Sequence, residues 1–362
     1  MDRQTVDIYE AQSELWESRR SPAWVDAAKA FSDRVPAGPM ADLGCGVGWY
    51  SAAMRDPVVS IDAARAMLVR TGELAPSALR VQGDLTALPL RESALAGAWA
   101  RNSYVHVPRA DVPRALGELH RALQVDAPVD LTFFGGDTEG RDVFADDDLP
   151  GRYFSTWQPD LLRDVVMAAG FDIDALDTRE RQHGNVGFEV RARRARTLSD
   201  VVGPGMRLLV CGLNPSIYSA DAGIGYARPG NRFWPAALTA GLVTRDRDPW
   251  HALREHGVGM TDVVKRATVA AGELTHAEYR AGFARIERLV AWLQPAAICF
   301  VGLAGWRAAV HRSATAGVQE RDLAGVPVYL MPSTSGLNAH SRLDELAEHL
   351  RAAAALADAR HR

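Results

Sequence analysis

Residues 212–234 read GLNPSIYSADAGIGYARPGNRFW, and they follow directly on Arg207-Leu-Leu-Val-Cys211, a short apolar run of the kind that forms a buried strand. Asn214 and Pro215 therefore fall at a strand's carboxyl end, where open α/β sheets carry their binding crevices. The loop beyond is rich in Gly and Pro, holds Tyr226, and runs into Asn231-Arg-Phe-Trp234, which predicts the opening of a helix. Two further apolar runs, 296–303 and 326–331, are each followed by a Gly/Ser/Pro-rich loop, and 274–293 has the 3.6-residue apolar spacing of a crossover helix. The pattern predicts a parallel sheet with its loops gathered on one edge.

The chain has 362 residues, 47% apolar and 24% charged, which is enough for two globular domains. No run of eighteen apolar residues occurs, so no membrane span is expected. The amino terminus lacks the basic and then apolar order of a secretory signal. Cys45, Cys211 and Cys299 are far apart and sit in or beside apolar runs, which reads as reduced core cysteines of a cytoplasmic protein, with no metal site. Net charge is −4, but it is unevenly divided: residues 1–200 carry 23 Lys+Arg against 31 Asp+Glu, and residues 201–362 carry 18 against 14. The mild basicity of the second part suits contact with a few phosphates.

In the first part, a predicted amphipathic helix over 6–18 brings Leu15 and Trp16 over a cofactor pocket. Then Met40-Ala-Asp-Leu-Gly-Cys-Gly-Val-Gly-Trp49 gives a D-x-G-x-G-x-G pattern at Asp42, Gly44, Gly46 and Gly48, with a helix expected to begin near Tyr50. Val58–Ile61 reads as the next strand and ends in Asp62, eighteen residues after Gly44, where a carboxylate can accept from ribose hydroxyls. Asp84 closes a third short strand; alternatively, Asp62 and Asp84 cap the turns that follow them. Strands at 95–100 and 129–133, with a helix over 112–123, complete an alternating pattern.

The first part resembles the class I S-adenosylmethionine-dependent methyltransferases over about residues 35 to 190. The resemblance implies a Rossmann-like sheet in which Gly44 and Gly46 approach the methionine part of S-adenosylmethionine, Asp62 its ribose, and Asp84 with Leu85 its adenine. The methyl acceptor is not legible. Arg101-Asn-Ser-Tyr-Val-His106 stands where amino-directed DNA methyltransferases carry an [DN]-P-P-[YFW] motif, and no Pro-Cys dipeptide occurs, which disfavours direct methylation of DNA bases. His106 is either a base beside the acceptor or a solvated loop residue, and Gly151–Trp157 is expected in an acceptor lid. Arg191, Arg193, Arg194 and Arg196 read as a solvated junction or as DNA-backbone contacts, and the Gly203-Pro-Gly205 punctuation as a linker.

The stretch 212–234 resembles, without a gap, the first active-site motif of the mismatch-specific uracil/thymine DNA glycosylases of the uracil-DNA glycosylase superfamily. Met331-Pro-Ser-Thr-Ser-Gly-Leu-Asn338 resembles their second motif, and 257–268 follows their pattern between the two. The resemblance implies a three-layer α/β/α domain in which Asn214 holds the attacking water. Tyr226 would stack on the extracted base, and backbone groups near Leu213 and Ser219 would meet its edge. Gly336 would permit a close approach and Leu337 wedge the minor groove, with Ser333, Ser335 and Asn338 at the DNA backbone. Ser216 departs from the family, which commonly has Gly there.

The expectation is two tandem α/β domains: a methyltransferase-like domain over 1–195, a linker over 196–205, and a glycosylase-like domain over 206–362. The second would remove uracil, or alternatively thymine, less readily, or a damaged pyrimidine, from G·U or G·T mismatches in double-stranded DNA by hydrolysis without a cofactor. The competing reading is a small-molecule or RNA methyltransferase whose second domain only binds nucleic acid.

Overall fold

The computed structural model describes residues 1–181, 185–338 and 340–360. The chain divides into two compact units, Met1–Met167 with Phe171–Ala195, and Arg196–Arg362 with Ala168–Gly170.

The first unit is built on β1 (Met40–Leu43), β2 (Val58–Asp62), β3 (Leu79–Gln82), β4 (Gly97–Ala100), β5 (Pro128–Gly135), β6 (Glu139–Gly140), β7 (Phe154–Trp157), β8 (Phe171–Glu180) and β9 (Val186–Arg194). The order β3-β2-β1-β4-β5 is parallel throughout, and β9 lies antiparallel to both β5 and β8. All residues of β1 and β4 are buried, which is why these strands read as apolar runs and not as alternations: both faces of the sheet are covered.

Three local expectations change. The helix expected near Tyr50 is a single 3-10 turn, Ser51–Ala53, because only nine residues separate Gly48 from β2. The amino-terminal helix is broken at Gln12 into Arg3–Ala11 and Ser13–Ser18, the first capped by Asp2 accepting from the Thr5 N–H at 2.9 Å. The segment 151–157 is not a lid: Phe154–Trp157 is β7, paired with β5, and its apolar side chains are buried.

The second unit holds β10 (Leu208–Gly212), β11 (Val258–Asp262), β12 (Ala297–Val301), β13 (Gly317–Val318) and β14 (Val328–Met331), in the order β11-β10-β12-β14-β13. The first four in that order are parallel and β13 is antiparallel. Side-chain alternation makes three layers. Leu208 and Val210 face a core with Phe233, Trp234, Leu346 and Leu350, whereas Leu209 and Cys211 face one with Phe283, Ile286 and Val290. The crossover helix, His276–Leu293, starts at a capping box between Thr275 and Glu278. β11 was not foreseen, since Val258-Gly-Met-Thr-Asp262 contains no apolar run.

Residues 196–205 are not a linker in structure. Val201 pairs with Met260, and Asp200 is buried between Lys265 at 2.6 Å and Arg285 at 3.1 Å, so the segment is fixed into the second unit despite its Gly-Pro-Gly punctuation. Three arginines of the run are ion-paired, Arg191 with Asp177, Arg193 with Asp174, and Arg196 with Asp221.

Candidate functional site

In the second unit the loop after β10 is zipped to the loop after β11. Thr268 N–H donates to the Pro215 carbonyl at 3.1 Å and Ile217 N–H to the Thr268 carbonyl at 3.2 Å. The zipper fixes Asn214. Its Nδ2 donates to Thr268 Oγ1 at 2.8 Å and to the carbonyls of Arg266 at 3.0 Å and Pro215 at 3.2 Å. Among the described residues no donor reaches Oδ1, so the side chain presents an oriented acceptor and nothing else.

Tyr226 sits in the left-handed region at φ 60° and lays its ring on Phe233, with centroids 4.2 Å apart and planes 21° from parallel. Its hydroxyl is buried without a partner. A Cβ at Gly212 would lie 3.0 Å from that hydroxyl and 2.3 Å from Asp262 Oδ1, so glycine is required where the tyrosine and the carboxylate converge. Asp262 ends β11 directly opposite Gly212. Burial pushes its carboxyl up to about 6, against the pull of Lys265. Asp262 is a residue of the candidate site that the sequence reading did not single out; the signal available was the lone Asp within Gly257–Thr268, at the carboxyl end of Val258–Asp262.

The second loop is held to the first by Arg232, also missed. Its guanidinium donates to the carbonyls of Asn338 at 2.6 Å, Ser335 at 3.2 Å and Ser341, while its N–H donates to Thr334 at 2.9 Å. A Cβ at Gly336 would approach the Gly230 carbonyl to 2.9 Å. Inside the loop, Ser333 and Ser335 hydroxyls accept from the N–H groups two residues on, and Asn338 Nδ2 donates to the Ser333 carbonyl at 2.7 Å. Leu337 stands at the tip, 86% exposed. Asn214, Tyr226 and Asp262 are thus brought to one end of the sheet, and the loop carrying Ser333 to Asn338 is tied to the Gly230–Arg232 segment. The Ser219 N–H and hydroxyl both bond Ser216 Oγ, at 3.1 Å each, in the first turn of helix Ile217–Ala222. The Leu213 carbonyl accepts from Val264 N–H at 2.9 Å, and its side chain packs in the core beside Gly305.

The first unit encloses a cavity of about 1190 Å³ at the carboxyl ends of β1, β2 and β4. Gly44, Gly46 and Asp62 line it, and Trp16 lies over it, stacked on Trp49 at 5.2 Å; Leu15 is exposed and does not take part. Gly44, at φ 67°, admits Ser103, whose Cβ would lie 2.3 Å from a Cβ at position 44. Asp62 accepts from Gly46 N–H and Ala64 N–H, both at 2.9 Å, and burial pushes its carboxyl up to about 6.

The other expected cofactor residues have different tasks. Asp42 is buried, accepts from Ser51 Oγ at 2.7 Å, and is pushed up to about 7 by that burial. Gly48 serves packing, since a Cβ there would lie 2.8 Å from Thr71 Cγ2. Asp84 accepts from Thr86 N–H at 2.8 Å and from the Met1 amino group at 2.9 Å, and Leu85 is a core residue, so neither forms the cavity wall. Burial would raise the Asp84 carboxyl, but these bonds bring it below its ordinary value.

His106 is neither solvated nor a free base. It is buried, with Nδ1 on the Tyr153 carbonyl at 2.7 Å and Nε2 on Tyr9 Oη at 2.8 Å. Burial, with Arg152 nearby, pushes its pKa down to about 3.

Two sites at the carboxyl ends of two largely parallel sheets define a chain of two α/β domains, each with its own chemistry. Residues 41–128 match the model of a methyltransferase domain, and residues 199–357 match that of the uracil DNA glycosylase superfamily. The chain therefore carries a methyltransferase domain followed by a uracil DNA glycosylase superfamily domain. Among solved structures, it is similar to an S-adenosylmethionine-dependent methyltransferase from Methanosarcina mazei, with 17% identity over 46% of this chain and 97% of that one, at a TM-score of 0.40. It is also similar to an S-adenosylmethionine-dependent methyltransferase from Mesorhizobium loti, with 18% identity over 48% and 98% and a TM-score of 0.39. A third is the 1,6-didemethyltoxoflavin-N1-methyltransferase of Burkholderia thailandensis, with 18% identity over 52% and 85% and a TM-score of 0.41.

The cavity of the first unit fits the cofactor that its family implies. Ser103 Oγ is buried without a partner beside Gly44, and Asp62 brings a carboxylate to the wall. Among the described residues no group of three His, Cys, Asp or Glu is placed to hold a metal ion, and no helix is long and apolar enough to cross a membrane.

Proposed function

We propose that the second domain excises uracil from G·U mismatches in double-stranded DNA by hydrolysis of the N-glycosidic bond, and that the first domain is an S-adenosylmethionine-dependent methyltransferase. The observation that carries the first half is the fixing of Asn214: three acceptors hold its Nδ2 and leave Oδ1 to orient a water for attack at the sugar carbon. An amide is no strong base, so it acts by position, and slow turnover is expected.

The base cannot be reached inside the duplex and must be extracted, at a cost of roughly a few kcal/mol that is least at a mismatch. Leu337 is suited to fill the gap, as an exposed apolar tip on a loop tied down by Arg232. The base would stack on the Tyr226 ring face opposite Phe233. The alternative chemistry, Schiff-base attack with strand cleavage, needs a free amine. Lys265 Nζ is instead 2.6 Å from the buried Asp200 and 11% exposed, which favours a monofunctional enzyme that leaves an abasic site.

Uracil is preferred to thymine in this reading, because Ser216 puts a side chain where the resembling family commonly has glycine, and its hydroxyl is committed to capping the next helix. Comparable turnover of G·T and G·U duplexes would contradict that preference.

In the first domain, S-adenosylmethionine supplies an activated methyl group when bound. Gly44, Gly46, Asp62 and Ser103 would hold it, beneath Trp16. Both ring nitrogens of His106 are engaged, so among the described residues lining the cavity no histidine is free to act as a base. Binding of S-adenosylhomocysteine by calorimetry tests the cofactor assignment; no binding would refute it.

A further inference from the structure

The cavity of the first unit is larger than one cofactor needs: pockets for single drug-sized ligands run to roughly 300–1,000 Å³, and this one holds about 1190 Å³. Beyond Gly44 and Ser103 its wall becomes aromatic and cationic. Arg101, directly after β4, lies over the Trp24 ring with its guanidinium carbon 3.6 Å from the centroid, and Arg179 lies over the same ring at 4.9 Å. Arg181 lies over Phe134 at 3.6 Å.

Charge there is unbalanced. Arg101 and Arg179 share one carboxylate, Glu189, at 2.8 and 2.7 Å. Among the described residues Arg181 has no carboxylate partner, and Arg101 Nε is buried without an acceptor. Partial burial of Arg181, which still keeps an exposed face, and then the neighbouring cations Arg101 and Arg20 push its guanidinium down to about 10. Asp147 and Asp148 on the same wall are engaged by Arg152 and Arg20, while Glu180 and Asp146 are exposed and bond no residue of the wall. Three guanidinium groups, Arg101, Arg179 and Arg181, with Glu189 as the one carboxylate paired to them among the described residues, stacked on aromatic rings, make a receptor for a planar anion.

We propose that the methyl acceptor of the first domain is an organic anion with a flat apolar body. Its anionic group is held by Arg101 and Arg181, and its body lies among Trp24, Phe134 and Phe154. This rests on the methyltransferase reading of the same cavity and names the class of its second ligand. A cationic amine is disfavoured there, because it would meet Arg181, which has no carboxylate partner among the described residues, beside Arg101 and Arg179, which share one.

The test is calorimetric binding of two indoles of opposite charge, indole-3-acetate and tryptamine, to the full chain saturated with S-adenosylhomocysteine. Indole-3-acetate is expected to bind at least about tenfold more tightly than tryptamine, as a charge-assisted pair to arginine allows. Arg181→Gln should remove most of that preference without changing the affinity for S-adenosylhomocysteine. Arg181 keeps an exposed face and forms no ion pair among the described residues, so this variant is expected to fold, whereas Arg101→Gln leaves Glu189 with one partner fewer and serves only as a second measure. Tighter or equal binding of tryptamine, no binding of either indole, or a preference unchanged in Arg181→Gln would overturn the proposal. Failure of S-adenosylhomocysteine itself to bind would instead remove the cofactor reading, and the acceptor class with it.

Discussion

Asp262 gives the second domain a stability that depends on pH, and Asp262→Asn isolates it. Burial, resisted by Lys265, raises the folded-state carboxyl from 3.8 to about 6. The folded state therefore holds the proton more tightly than the unfolded chain, so the carboxyl does no harm below about pH 4 and costs stability progressively as pH rises through 6. A shift of about 2 units at about 1.4 kcal/mol each sets the full cost at no more than about 3 kcal/mol; residual contact with solvent reduces it. Asparagine has the same shape and no charge. Urea unfolding of the two chains, followed by fluorescence at pH 4, 6 and 8, should show no gain for Asp262→Asn at pH 4 and a gain of about 1–3 kcal/mol at pH 8. A gain independent of pH, or a loss that grows with pH, would refute the reasoning. The cost falls at the candidate site, where Gly212 makes room for both the Asp262 carboxylate and the Tyr226 hydroxyl.

Asp42 should behave likewise in the first domain, its carboxyl being pushed up to about 7: Asp42→Asn should stabilise that unit above pH 7 and not near pH 4 in the same unfolding measurement. Leu337→Ala removes an apolar tip that is 86% exposed, so the urea midpoint should hold within about 0.5 kcal/mol while single-turnover excision falls, more for a paired A·U substrate than for a G·U mismatch. Lys265→Ala leaves the buried Asp200 with Arg285 as its one remaining cation, and unfolding should show a loss of about 3 kcal/mol or more with the alkali-labile product unchanged in kind. β-Elimination products that vanish in Lys265→Ala would instead establish a lysine nucleophile.

The fold was legible where burial is two-sided. β1, β10 and β12 are short apolar runs because both of their faces meet helices, and the glycines after β1 announce a turn that only they can make. β11 escaped because its Gly259 and Thr261 fit against Met206 and Asp200, so packing, not hydropathy, makes it a strand. The putting of 196–205 into the second unit was hidden for a similar reason: Asp200 finds its two cations on elements 65 and 85 residues away.

Within the sites, residues whose task is local could be named in advance, and those whose task is to join elements could not. Asn214, Tyr226 and Leu337 sit in motif loops. Arg232 was quoted in the sequence only as part of a helix opening, yet its guanidinium spans 103 to 109 residues to fix the second loop. His106 reads as a candidate base until Tyr9 and Tyr153, distant in sequence, are seen to engage both of its nitrogens.

The most direct test is a glycosylase assay on end-labelled duplexes carrying G·U, G·T or A·U, treated with alkali, with wild type and Asn214→Ala compared at equal folded concentration. Strand cleavage after alkali that is strongest with G·U and lost in Asn214→Ala is the predicted result. Binding of the duplexes with no cleavage of any, or cleavage undiminished in Asn214→Ala, would contradict the account.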